Sequence, residues 1–185
     1  MGKVLTVTGY KSHELGIFND KHPGLPYIKK ALKRNLERLI DEFDLEWVLI
    51  SGQLGVELWT AEIVFELQET YPHLKLAVLT PFLGQEERWN EERQEYYEMI
   101  TAQADFYESI SKKPYESPLQ LKVKNQFLIE KSSGLLILYD EEQPGSPKYY
   151  LEEALKKRQS HPNFEIFTIT PFDINELIQD EQNSW

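Results

Sequence analysis

The residues with the clearest capacity for chemistry lie in one run, Ser51-Gly52-Gln53-Leu54-Gly55-Val56-Glu57. Two glycines three apart let a backbone approach a phosphate. The first free N–H groups of a following helix then point at that anion with the positive end of the helix dipole. Glu57, one residue into the helical pattern, complements the dipole and is also placed to accept hydrogen bonds from a sugar hydroxyl beside the phosphates. Two glycines alone equally well make a tight turn. Ser51 lacks the Gly-x-Ser-x-Gly setting of a nucleophile elbow, so a ligand contact suits it better than nucleophilic attack. His13, His22, His73 and His161 show no metal-ligand spacing and read as surface or loop residues, and no metal site is expected.

Further candidates follow other strand patterns. Thr8-Gly9-Tyr10-Lys11 closes the first, and Lys11 is placed to meet a phosphate or simply to be a solvated loop lysine. Pro81, Gln85 and Trp89 follow the third. Tyr115 lies in a proline-flanked loop, Asn125 in an amphipathic helix, and Gly145-Ser146 in a late loop. Tyr10, Trp89 and Tyr115 are each more often packing residues, but together they can stack on a base.

These positions imply the elements that carry them. Trp47 to Ser51 reads as a strand, and Val56, Trp59, Ile63 and Leu67 keep one helical face. Further strands are expected at 3–8, 75–80, 106–110, 134–139 and 165–170. Helices are expected at about 28–43, 85–103, 119–131, 148–158 and 173–179. In the fifth of these strands, Gly134 to Tyr139, continuous hydrophobicity predicts burial on both faces. Leu119, Val123 and Phe127 mark the apolar stripe of the helix before it. Alternation of this kind predicts an α/β fold: one Rossmann-like three-layer domain over 1–185, with a mainly parallel sheet of about six strands, helices on both faces and a polar tail from about 180. Ligands of such sheets bind beyond the carboxyl ends of the strands, and the candidates within 8–11, 51–57, 81–89, 111–115 and 140–146 fall there.

Composition narrows the partners. A chain of 185 residues with 41% hydrophobic side chains can bury a sizeable core. It has no cysteine, hence no disulfide or thiol chemistry. No apolar run approaches the ~20 residues of a membrane span, and nothing resembles a signal peptide, so a cytoplasmic protein without membrane contact is expected. The net charge of −11 disfavours nucleic acid as the main partner. A homodimer is compatible with the sequence, which is otherwise silent on oligomeric state.

The stretches Thr8–Lys11, Ser51–Ala61, Pro81 through Gln85 to Trp89, Lys124-Asn125-Gln126-Phe127 and Gly145-Ser146 resemble the YpsA family. That family belongs to the SLOG group of Rossmann-like proteins, related to the LOG phosphoribohydrolases and to DprA. The resemblance implies a fold that binds a nucleotide or derivative, with NAD or ADP-ribose as the ligand class and a sensor or regulatory role. It does not bring a defined reaction with it. The LOG enzymes carry Pro-Gly-Gly-x-Gly-Thr-x-x-Glu, whereas the late loop here reads Pro144-Gly145-Ser146-Pro147-Lys148. Related proteins often have Asp where this chain has Glu57. A phosphoribohydrolase, with Glu57 as its catalytic carboxylate, is therefore the alternative, and DprA-like binding of single-stranded nucleic acid a second one.

Overall fold

The computed structural model describes residues 2–183. Six strands run in chain order as β1 (Lys3–Gly9), β2 (Leu45–Ile50), β3 (Lys75–Thr80), β4 (Phe106–Ser109), β5 (Gly134–Leu138) and β6 (Glu165–Ile169). They form one sheet in the order β4-β3-β2-β1-β5-β6, and every neighbouring pair is parallel. The chain therefore moves outward from β1 to β4, then crosses back to lay β5 on the other side of β1. Right-handed crossovers turn that reversal into two helical layers. One layer holds α2 (Leu25–Glu42), α3 (Val56–Gln68), α4 (Glu91–Gln103) and α7 (Pro171–Gln182); the other holds α5 (Leu119–Lys131) and α6 (Pro147–Ser160). This is the expected Rossmann-like α/β architecture.

The apolar pattern accounts for the layers. All five residues of β5 are buried, because β1 and β6 flank it and helices cover both faces. On α2, the face with Ile28, Leu32, Leu36 and Leu39 packs into the core. α4 starts later than the sequence suggests. Residues 83–88 form turns, and Asn90 caps the helix by accepting the N–H of Arg93 at 2.9 Å. At the other end of the chain α7 runs through residue 182, held at its start by a capping box between Thr170 and Asp173. The expected tail is thus helical as far as 182, and its last two residues lie outside the described ones. A short helix, α1 (Ser12–Leu15), follows β1, where no helix is expected from the sequence.

The face of α5 needs correction. Leu119 and Val123 are exposed, and the helix buries Lys124, Asn125, Leu128 and Ile129 instead. Two polar residues on the inward face disguised it.

Gly55, the residue before α3, has φ +106° and ψ −137°, a region that side chains avoid. A Cβ there would lie 2.6 Å from both the Tyr10 carbonyl oxygen and the Ser12 nitrogen. Gly55 therefore lets the turn after β1 lie against the turn after β2, where the Val56 N–H donates to the Tyr10 carbonyl at 3.2 Å. Gly55→Ala should destabilise by about 3 kcal/mol or more in urea unfolding. Gly16→Ala, with φ +68° but open space around it, should cost only about 1–2 kcal/mol.

Candidate functional site

At the carboxyl ends of β1 and β2 the Glu57 side chain turns inward, and the residue is 3% exposed. One carboxylate oxygen accepts the Ser51 N–H and the Ser51 hydroxyl, both at 2.7 Å, with the Gln53 N–H at 3.5 Å. The other accepts from the Thr8 hydroxyl at 2.8 Å and faces the Tyr150 hydroxyl at 3.4 Å. Behind Tyr150, the Lys124 ammonium donates to its hydroxyl at 2.8 Å. Thr8 and Ser51 end two strands, Glu57 opens a helix on one layer, and Lys124 and Tyr150 come from the opposite layer. A single polar cluster thus ties both helical layers together across the end of the sheet.

A second carboxylate plays a comparable part. Glu14 accepts the Lys11 N–H at 2.8 Å and, from the start of α6, the Ser146 N–H at 2.8 Å and hydroxyl at 2.6 Å. Burial opposes ionisation of Glu14, but the bonds from Ser146 and Lys11 outweigh it and hold the carboxyl below its usual range. The loop expected to admit phosphates, 51–57, and the late loop with Gly145-Ser146 therefore each hold a carboxylate of the protein itself. The strand-order switch between β1 and β5 is filled as well. Tyr10 is buried there, packs against Tyr139, and its hydroxyl accepts the Asp140 N–H at 2.9 Å and donates to the Gln143 carbonyl at 2.7 Å.

Open space lies beside this closed turn. A cavity of about 530 Å³ is lined by Lys11, Gln53, Gln85, Trp89 and Tyr115 among the expected residues, and also by Arg88 and Phe82. Gln85 is fixed by donating to the Ser51 carbonyl at 2.8 Å and accepting from Gln53 at 3.2 Å. Gly52, at φ +83°, makes room for it, since a Cβ would sit 2.7 Å from Gln85 Nε2. Trp89 stands edge-on to Tyr97 and Tyr115 edge-on to Phe82, so the aromatic wall is braced. Thr8, Gly9, Tyr10, Ser51, Gly52, Gly55, Glu57 and Pro81 support this wall from within the protein rather than lining the cavity. Asn125 faces a separate groove between α5 and α6, and Gly145 and Ser146 close on Glu14.

Sequence reasoning missed Glu14, Lys124 and Tyr150 as site-forming residues. Glu14 stands three residues after Lys11, the spacing of a helix cap. Lys124 stands between Leu121 and Leu128 at helical spacing, a charge on an apolar stripe. Burial pushes the Lys124 ammonium pKa down to about 8, against the pull of Glu57, while Lys11 adds to the lowering. Below the native pKa both native and unfolded chains carry this proton. Between about 8 and the ordinary 10.5 only the unfolded chain does, so stability rises with pH in that window. Stability measured by chemical denaturation from pH 8 to 10 should rise more steeply for the natural chain than for Lys124→Met. The difference in slope is at most about 1.4 kcal/mol per pH unit. Equal slopes would show that Lys124 is not held in this buried position.

No helix among the described residues is long and apolar enough to cross a membrane, and no group of three or more His, Asp or Glu side chains among them is arranged to hold a metal ion. The chain is similar to curated proteins of bacilli. A UPF0398 protein of Bacillus cereus (strain AH820) is 59% identical over 180 residues, 97% of each chain. Another, of Halalkalibacterium halodurans, is 55% identical over 180 residues, covering 97% of this chain and 94% of the relative. Among solved structures, DNA processing protein A from Helicobacter pylori aligns over 99% of this chain and 82% of its own. The TM-score is 0.51 at 14% identity, which establishes a shared fold. That protein is described by its single-stranded DNA binding mode. The expectation that nucleic acid is disfavoured as a partner is overturned on this ground: the same fold serves a strand-binding protein, and a mean negative charge does not set that ligand class aside. Finally, the family model YpsA, described as the YspA SLOG family, matches residues 5–174. The chain belongs to the YpsA family of SLOG proteins.

Proposed function

We propose that this chain binds a nucleotide or nucleotide derivative of the NAD or ADP-ribose kind in the cavity outside the Glu57 turn, in a sensor or regulatory role. One observation carries the reading. Four separate segments bring Lys11, Gln53, Gln85 with Trp89, and Tyr115 to a single space of about 530 Å³, within the ~300–1,000 Å³ typical of small-molecule sites. Lys11 and Arg88 supply positive charge for phosphates. Gln53 and Gln85 supply amide donors and acceptors for hydroxyls or base edges. Trp89 and Tyr115 supply rings on which a base can stack.

Binding is favoured over glycosidic cleavage by the position of Glu57. Its two oxygens already accept hydrogen bonds inside the protein, so a sugar in the cavity meets Gln53 and Lys11 before it meets that carboxylate. A second reading, binding of single-stranded nucleic acid, draws on the shared fold with DNA processing protein A and on the same cations and rings.

Thermal unfolding with NAD, ADP-ribose, AMP and ATP tests the first reading, with a short oligonucleotide as the arm for the second. At a hundredfold excess over the dissociation constant, a native-state ligand stabilises by about 2.7 kcal/mol, or roughly 5–11 °C for a chain of this size. At least one nucleotide should reach that range. Trp89→Ala should weaken its binding by about 1–3 kcal/mol, the usual loss of a stacking partner. No shift with any of the four would contradict the proposal, and a shift with the oligonucleotide alone would transfer the site to the second reading.

A further inference from the structure

Next to the proposed site, α5 and α6 enclose a second groove of about 760 Å³. The two spaces share Leu121 in their linings, so they adjoin. Their chemistry differs. The first has Lys11 and Arg88 against Glu87, an excess of positive charge. In the second, Lys122 and Lys156 are matched by Glu152 and Glu153, and its wall includes the apolar surfaces of Leu119 and Tyr149, 63% and 55% exposed. A phosphate has no reason to prefer this groove, whereas an uncharged or delocalised ring does.

Asn125 supplies the polar mark. It lines the groove, is only 9% exposed, and its Oδ1 is buried with no hydrogen-bond partner. A buried acceptor without a donor costs about 1–3 kcal/mol, and such atoms are rare in folded proteins. The terminal torsion of Asn is soft, so its amide can turn to meet a ring that carries an amino or carboxamide group.

We infer that the ligand is a dinucleotide, two rings joined through phosphates. One base and the phosphates occupy the cavity beside Lys11 and Trp89, while the second ring lies between α5 and α6 with its polar edge against Asn125. This rests on the nucleotide-binding reading above and narrows its ligand class. Free dinucleotides and two consecutive bases of a strand share this chemistry.

Titration calorimetry with two matched pairs separates the cases: NAD against ADP-ribose, which carries a hydroxyl in place of the second base, and the deoxydinucleotide pd(ApA) against the same molecule with an abasic second residue. The two-ring member of at least one pair should bind about tenfold tighter than its partner. Asn125→Leu should remove that advantage, leave the one-ring ligand unchanged, and keep or raise the melting temperature, because it deletes an unpaired acceptor. Should Asn125→Leu fail to fold, Tyr149→Ala, at an exposed position, should remove the same advantage. An advantage confined to NAD makes a free dinucleotide the ligand; one confined to pd(ApA) makes it a strand. If ligands bind through Trp89 but the second ring brings nothing, or brings an advantage that survives Asn125→Leu or Tyr149→Ala, the inference fails while the first site stands. Absence of binding by all four overturns both.

Discussion

The structure depends on a carboxylate placed where a ligand's anion would be expected. Glu57 takes the amide of Ser51, two hydroxyls from the ends of β1 and β2, and the approach of Tyr150, all in a space with almost no solvent. Buried carboxylates are tolerated only when most of their lone pairs are met and a counter-charge is near. Lys124, bridged through Tyr150, supplies that charge from the opposite layer. The arrangement joins the ends of β1 and β2 to three helices, and so ties the turns after those strands to both helical layers.

Glu57 takes amides of the turn between β2 and α3, and Glu14 takes the amide of Ser146 at the cap of α6, so the protein's own carboxylates do there what a bound phosphate does elsewhere. In the proposed reading the binding surface is therefore displaced outward, into the neighbouring cavity. Side chains rather than backbone amides face the cavity, with Lys11 and Arg88 providing charge and Trp89 and Tyr115 the flat faces. The glycines keep a role, but it is an internal one. Gly55 admits the neighbouring turn and Gly52 admits Gln85.

Much of this was legible in the chain. Periodicity located all six strands and the major helices, because the strands are short and bounded by turn residues and all but the exposed β4 carry an apolar run. The convergence of Lys11, Gln53, Gln85, Trp89 and Tyr115 could be anticipated since parallel sheets gather their loops at one end. Direction within that end could not. Whether Glu57 points at solvent or back into its own turn depends on Thr8 and Ser51, whose side-chain orientations no one-dimensional pattern specifies. The inward face of α5 was hidden for a related reason: Lys124 and Asn125 look like surface residues until Tyr150 and the groove are brought against them. Helix starts at 91 and 171 were shifted by caps, Asn90 and Thr170, which act through single side chains rather than through periodicity.

The central claim is that Glu57 is the resident anion of the glycine turn and that ligand sits outside it. Glu57→Gln, assayed in parallel for unfolding free energy and for calorimetric affinity toward the nucleotide that stabilises the natural chain most, addresses it directly. The account predicts a loss of stability of about 1–3 kcal/mol, the worth of charge-assisted bonds to a buried group, with affinity within about threefold of the natural chain. Unchanged stability together with a tenfold or greater loss of affinity would contradict it, because the carboxylate would then be contacting the ligand.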